Sequence, residues 1–537
     1  MSAKARMLLS KELTTLRVLT SAGVIRPYSP RVLVGIVSAL KKWGMGPAGG
    51  FTSLAARVPD QVGLVDELGE LTWQQVHERS NALAHGLREL GVGEGDSVAV
   101  LCRNHRGFVE ATVAVAKLGA DLLYLNTAFA APQLGEVCER ENPAAIIYDE
   151  EFDGLVEDAK IDVPKVHAWQ EGETDLPTLE GLIRAGSTAD LTPPTRRSRS
   201  VILTSGTTGT PKGAPRSEGS LDAGVALLSR LPLRRGWRTH IAAPLFHTWG
   251  WAHLALAMLM GSTIVLRRKF DPEGCLKAVT EEDCDSLVVI PVMLQRILQL
   301  PEEKLRSYNL SKVKVVAASG SALPGDLGTS WMDQFGDTLY NIYGSTEVAW
   351  ATIAQPQDLR DAPGTAGKPP HATVVKVYDE QGKELPPGEP GRIFVGNSML
   401  FEGYTGGGSK DMIDGLMATG DVGRFDENGH LFVEGRDDEM IVSGGENVFP
   451  KEVEDCLHRH EAVEDVAAIG VDDEDFGKRL RAFVVLRSPD AACEDDLKAY
   501  VKSNLARYKV PREIVFIDEL PRNATGKILK RELAEHP

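Results

Sequence analysis

The chain has 537 residues, 42% apolar and 25% charged, so several domains with ordinary cores fit and a disordered chain is excluded. Its formal charge of −17 argues against nucleic acid as the main partner, because phosphate backbones are gripped by concentrated basic surface. Six cysteines (Cys102, Cys138, Cys275, Cys284, Cys456 and Cys493) show no CxxC or other zinc-like spacing and read as reduced thiols of a cytoplasmic protein.

The first 50 residues form a basic N-terminal arm. Lys4, Arg6, Lys11, Arg17, Arg26, Arg31, Lys41 and Lys42 stand there against one acid, Glu12. The run Val32–Leu40 is largely apolar and flanked by these bases. It reads either as a membrane-surface helix, giving peripheral membrane contact through residues 1–45, or as an arm packed on its own protein. No stretch approaches the roughly 18 apolar residues of a spanning helix, and the arm has no signal-type cleavage site.

From about residue 70 to 350, short apolar runs alternate with helix-like stretches. Ser97–Cys102, Ala145–Tyr148, Val201–Thr204, Thr263–Leu266, Ser286–Ile290 and Val313–Ala318 read as buried strands. Trp73–Leu90 and Gly107–Leu118 read as amphipathic helices. This alternation predicts an α/β fold with parallel-type sheets and ligand sites at the strand ends. Ser187–Arg199, with Pro193 and Pro194, is a loop leading into a strand. After residue 365, Val374–Tyr378, Gly391–Val395 and His430–Val433 predict a smaller β-rich subdomain. Beyond 436 the helices Lys451–His460 and Glu494–Leu505 and the strands Val463–Gly470 and Leu480–Leu486 predict a small α+β domain.

The most informative segment is Thr204-Ser205-Gly206-Thr207-Thr208-Gly209-Thr210-Pro211-Lys212-Gly213, directly after a predicted strand. Glycines let backbone N–H groups approach a ligand, while hydroxyls and a lysine add donors, a combination that holds phosphate oxygens. It is not a Walker A loop, since Pro211 precedes Lys212. Further motifs follow in order: Tyr343-Gly344-Ser345-Thr346-Glu347, Thr419-Gly420-Asp421, Gly435-Arg436-Asp437-Asp438 and Pro521-Arg522-Asn523-Ala524-Thr525-Gly526-Lys527.

Together these motifs resemble the adenylate-forming superfamily, and within it the fatty acyl-CoA synthetase type. The resemblance runs from Leu71 to Lys527, about 460 residues. It implies an AMP-binding N-terminal domain over 51–435 and a mobile C-terminal domain over 436–537. It also implies a role for each matching residue. Thr204, Ser205, Gly206, Thr207, Thr208 and Lys212 would hold the ATP phosphates. Gly320, Asn341, Tyr343 and Gly344 would lie along the adenine. Thr346 would meet a phosphate, and Glu347 would hold Mg²⁺, as hard cations prefer oxygen. Asp421 and Arg436 would take the ribose, a carboxylate being able to accept from both hydroxyls. Asp438 would be the hinge, Gly444 and Gly445 would line a coenzyme A tunnel, and Lys527 would bridge the carboxylate and the α-phosphate.

Pro244-Leu245-Phe246-His247-Thr248-Trp249-Gly250-Trp251 resembles the acyl-pocket motif of the same family. It places His247 beside the reacting carboxylate and Trp251 in the pocket, where core packing is an equal alternative for the tryptophan. The expected activity is ATP-dependent activation of a medium- or long-chain fatty acid to its adenylate, then transfer to coenzyme A. Adenylation of an acyl or aryl group for a carrier protein and a non-catalytic lipid-binding scaffold at the membrane are the alternatives.

Overall fold

The computed structural model describes residues 3–203, 213–216, 221–401, 403, 409–439, 441–443, 446–473, 477–489, 491–506, 509–523 and 526–535. Side chains are described throughout these, apart from residues 3–11, 213–216, 438, 442–443, 446–447 and 477. Among the described residues the strands form four sheets.

The first large sheet has eight strands. Their order is Thr352–Ala354, Leu339–Tyr343, Val315–Ala318, Ser286–Val289, Arg238–Ile241, Thr263–Val265, Val62–Asp66 and Gly69–Thr72. Its inner pairs are parallel and its two edge pairs antiparallel. The second has six strands, in the order Lys165–Trp169, Ala145–Asp149, Ser97–Leu101, Asp121–Tyr124, Ser200–Leu203 and Gly213–Arg216. It too is parallel except for its last pair. Parallel strands must be covered on both faces, which accounts for the continuous Val, Leu and Ile runs that mark them in the sequence.

The helix Arg106–Leu118 is buried along nearly its whole length and contacts strands of both sheets. One core therefore joins Val100 and Leu122 of the six-stranded sheet to Leu64 and Leu287 of the eight-stranded one. One central strand, Arg238–Ile241, escapes the apolar pattern because its polar groups pair internally. His240 Nδ1 meets the Val265 carbonyl at 3.0 Å, and the Thr239 and Ser286 hydroxyls lie 2.8 Å apart.

The β-rich part is an antiparallel sheet of Val374–Tyr378, Gly391–Gly396, Leu416–Phe425, Met412–Ile413 and Leu431–Arg436. Its register sets Asp421 opposite Arg436. The last sheet is built from Ile441–Ser443, Glu446–Val448, Val463–Asp473, Gly477–Leu486 and Glu513–Phe516, with the helices Pro450–His458 and Glu494–Asn504 supplying its buried Val453, Leu457, Leu497 and Val501. Among the described residues it meets the large sheets' unit through polar pairs and through Gly526 against Val292. Gln295 and Gln299 donate to the Glu464 carbonyl and carboxylate at 3.1 and 2.8 Å, and His458 meets Asp326 at 2.9 Å.

In the arm, helices span Ala3–Ser21 and Pro30–Trp43. Ser29 caps the second, Pro30 fills its first turn, and Gly44 ends it. Ala39 and Trp43 are buried on the side toward the helix Pro47–Arg57. The arm thus packs on its own protein along one face. Its opposite face, at Val34 and Val37, is exposed. Among the described residues, no helix is long and apolar enough to cross a membrane.

Candidate active site

The carboxyl ends of the central strands open into one cavity of about 1920 Å³. That exceeds the roughly 300–1,000 Å³ usual for one small ligand and leaves room for a nucleotide and a second substrate. Gly320, Asn341, Tyr343, Gly344, Thr346, Glu347, Asp421, Arg436, Lys527, His247 and Trp251 all line it. Thr204, Ser205, Gly206, Thr207, Thr208, Lys212, Gly444 and Gly445 lie outside the described residues, as does the side chain of Asp438. The Asp438 backbone sits in the helical turn Asp437–Glu439.

Tyr343 ends its strand and its chain reverses at Gly344. A Cβ at Gly344 would lie 2.3 Å from the Ala349 carbonyl oxygen, so only glycine fits, and the Ala351 amide returns to the Tyr343 carbonyl at 2.8 Å. This tight return brings Thr346 and Glu347 to the cavity wall. The Glu347 amide donates to the Ser345 hydroxyl at 3.3 Å, and the Glu347 carbonyl takes the Phe401 amide at 2.8 Å. The Glu347 carboxylate, at the cavity wall, offers the oxygen donor that fits Mg²⁺.

The Tyr343 hydroxyl donates to Asp421 Oδ2 at 2.5 Å, and Arg436 Nη1 lies 3.4 Å from Asp421 Oδ1. Burial pushes the Asp421 carboxyl up from its ordinary value, while Tyr343, Arg436 and the charge of Lys527 pull it back. Lys527 therefore acts electrostatically on Asp421, although the two stand 106 positions apart in sequence.

Lys527 sits on a closed hairpin. Its amide donates to Asn523 Oδ1 at 2.9 Å, and the Asn523 amide donates back to the Lys527 carbonyl at 2.9 Å. Gly526 has φ +77°, a left-handed turn that a side chain would strain, and a Cβ there would lie 2.5 Å from Val292 of the opposite unit. Arg522 anchors the hairpin base, donating to the Gly526 carbonyl at 2.5 Å and to Asp465 at 2.6 Å.

His247 caps the helix Thr248–Met260, with no side-chain cap bond. Its Nε2 is buried without a hydrogen-bond partner, and burial pushes the imidazole down to about 3. The ring is neutral at physiological pH, and the residue lines the cavity with one nitrogen unpartnered. Such an atom is costly unless a ligand meets it. Trp251 lines the same cavity but is tied down, its indole N–H donating to the Tyr124 hydroxyl at 3.2 Å.

Sequence reasoning missed Asn104. This buried side chain donates to the Ile241 and Ala243 carbonyls at 3.1 and 2.9 Å and accepts the Leu245 amide at 2.9 Å. It clamps the segment that delivers His247, and an asparagine just after a strand gives no distinct sequence signal. Asn523, quoted within the recognised motif without a role of its own, exchanges hydrogen bonds with Lys527. Among the described cysteines none is paired. Cys102, His105 and Asp149 come together in the core, where His105 Nε2 meets Asp149 Oδ1 at 2.8 Å and Asp149 Oδ2 takes the Arg103 amide at 2.8 Å, so the trio is already satisfied.

Comparison with known proteins matches residues 51–405 to the AMP-binding enzyme family and residues 452–527 to the AMP-binding enzyme C-terminal domain. The chain is 33% identical over 469 residues to a feruloyl-CoA synthase of an Amycolatopsis species, covering 86% of this chain and 93% of that one. It is 33% identical over 486 residues to a 2-succinylbenzoate–CoA ligase of Geobacillus kaustophilus, covering 88% and 95%. The crystal structure of the anthranilate CoA ligase AuaEII with anthranoyl-AMP superposes with a TM-score of 0.83 at 26% identity, covering 91% of this chain and 96% of that one. The chain belongs to the AMP-binding enzyme family, the adenylate-forming superfamily, as an AMP-forming acid–thiol ligase. Such an enzyme joins a carboxylic acid to AMP and then passes the acyl group to coenzyme A.

Proposed function

We propose that the acid is a lipophilic fatty acid of medium or long chain. The observation that supports this is a stripe along the helix Thr248–Met260. Thr248, Trp251, Ala252, Ala255, Met258 and Leu259 recur at helical spacing and line the cavity from His247 onward. Twelve residues of helix run about 18 Å, a depth suited to an alkyl tail and greater than a single ring needs. An aromatic acid is the second reading. The relatives named above favour it, since their names are those of feruloyl-, succinylbenzoate- and anthranilate-CoA ligases.

In the first half-reaction a carboxylate oxygen bonds to the α-phosphorus of ATP and pyrophosphate leaves. Charge crowding is the barrier, so cations and fixed donors carry the catalysis. Lys527 is proposed to bridge the two reacting groups, with Lys212 and the loop Thr204–Thr208 on the phosphates. Neutral His247 lies beside the carboxylate without repelling it, and Asp421 with Arg436 takes the ribose. A magnesium ion held by Glu347 would neutralise phosphate charge, with Thr346 meeting a phosphate. In the second half-reaction the coenzyme A thiol attacks the acyl carbonyl and AMP leaves. For that step the C-terminal unit (436–537) is proposed to turn about Asp438 and bring Gly444 and Gly445 to the thiol's path.

The test is turnover with ATP, Mg²⁺ and coenzyme A across saturated acids of increasing length, with ferulate, benzoate and 2-succinylbenzoate alongside. A maximum at one alkyl length supports the proposal. A maximum at an aryl acid replaces it with the second reading.

A further inference from the structure

We infer that the N-terminal arm seats the enzyme on an anionic lipid surface and that its second helix is the gate through which a lipophilic acid leaves the bilayer for the acyl cavity.

The first observation is where the exposed apolar side chains lie. Of the twelve large hydrophobic residues exposed among the described ones, seven fall within the first 45 residues: Leu13, Leu16, Ile25, Leu33, Val34, Val37 and Met45. On the helix Pro30–Trp43, Val34 and Val37 are 69% and 62% exposed, opposite the face that buries Ala39 and Trp43. Apolar surface left open in this concentration marks an interaction site.

The second observation is charge. In a chain of net charge −17 the arm carries eight bases against Glu12 alone. Arg31 lies in the first turn of the exposed helix, and Lys41 and Lys42 lie in its last. Arg197, from a packed loop, adds a further cation by donating to the Lys42 carbonyl at 2.7 Å. An exposed apolar face flanked by bases suits a bilayer with anionic headgroups.

The third observation ties this face to the chemistry. Leu33, Ile36 and Leu40 of the same helix line the cavity that holds His247. Leu33 also stands 47% exposed, so one layer of side chains separates the channel from the outside. Beside them Tyr28 and Arg57 line the channel, the phenol close enough to act on the guanidinium. Arg57 spends its terminal nitrogens on the Met258 and Leu259 carbonyls, 3.0 Å each, at the far end of the cavity stripe. A carboxylate entering from the arm side meets these donors first. The access route rests on the lipophilic-acid reading above, whereas the docking does not.

The experiment uses the full chain and vesicles of phosphatidylcholine, with and without phosphatidylserine. In co-sedimentation without any acid, the protein is expected on the anionic vesicles and to be released by salt. Lys41→Gln and Lys42→Gln should each weaken partition about fivefold, and Val34→Asp/Val37→Asp should abolish it. That double variant should keep wild-type turnover of a short, water-soluble acid, which shows that it folds, and lose turnover of a long-chain acid supplied within vesicles. Absence of vesicle binding by the wild type overturns the inference. So does a Val34→Asp/Val37→Asp variant that sediments with vesicles as before but changes oligomeric state, since the face would then bind a second copy of the chain. Vesicle binding without turnover of any long-chain acid upholds the docking and overturns the access route together with the substrate reading.

Discussion

His458 of the C-terminal unit meets Asp326 of the large unit at 2.9 Å, and this pair crosses the gap over which Lys527 enters the cavity. Burial alone would lower the imidazole, but the hydrogen bond and charge of Asp326 outweigh it and raise His458 above its ordinary value, with Asp465 assisting and Arg487 opposing. A raised value in the docked state means that docking is strongest below the ordinary histidine range. It weakens as pH rises through the docked-state value. Small-angle scattering should show the protein opening as pH rises from the ordinary histidine range upward, and His458→Gln should flatten that response.

Lys527→Ala should lower acyl-adenylate formation by about 10²–10³-fold, the usual loss for one aimed electrostatic group. Thioester formation from synthetic acyl-adenylate should stay near the wild-type rate. Pyrophosphate release and thioester formation, measured separately, check this.

Tyr343→Phe removes the 2.5 Å hydrogen bond to Asp421. Hydrogen bonds to charged groups contribute about 1.5–3 kcal/mol, so AMP affinity should fall about tenfold to a hundredfold by calorimetric titration. The loss also removes one of the groups holding the buried carboxyl down. Asp421 should then protonate at a higher pH than in the wild type, and AMP binding in the variant should fade sooner as pH drops.

With burial holding His247 near 3, the imidazole has no charge to lose between about pH 5 and about pH 8. His247→Gln should lower kcat/KM for the acid without removing any inflection from the pH profile in that window. Disappearance of an inflection would mean that the ring titrates in the working enzyme.

Asn104→Ala leaves two buried carbonyls and one amide without their partner. The expected cost is about 1–3 kcal/mol of stability, read in thermal unfolding. A raised KM for the acid and an unchanged KM for ATP should accompany it, because the clamp shapes the segment before His247 and not the nucleotide wall.

Much of this site is legible in the sequence because its geometry depends on residues with few substitutes. Gly344 and Gly526 occupy places no side chain can share, and Asp421 and Arg436 sit opposite one another through strand register alone. The strand Arg238–Ile241 is harder to read, since its polar side chains find partners only in the folded sheet. Asn104 is silent for a similar reason. Its three contacts lie 137 to 141 residues away. The arm is ambiguous for a different reason. Val32, Leu33, Val34, Ile36, Val37, Ala39 and Leu40 form one broad apolar arc, wider than the packed face, so periodicity marks the apolar side without saying which part of it packs and which is left open.

The hairpin of Asn523 and Lys527 bears on the timing of the catalytic cycle. A lysine on a loose tail would have to be ordered afresh at each turnover, against about 1–2 kcal/mol of conformational entropy for every backbone residue involved. Here two opposed hydrogen bonds between Asn523 and Lys527, with Arg522 fastened to Asp465, hold the turn within its own unit. That entropy is lost once, when the chain folds. If the unit rotates between half-reactions as proposed, it moves as a rigid body with its reactive cation preset, and its return depends on collision and alignment with no loop left to freeze.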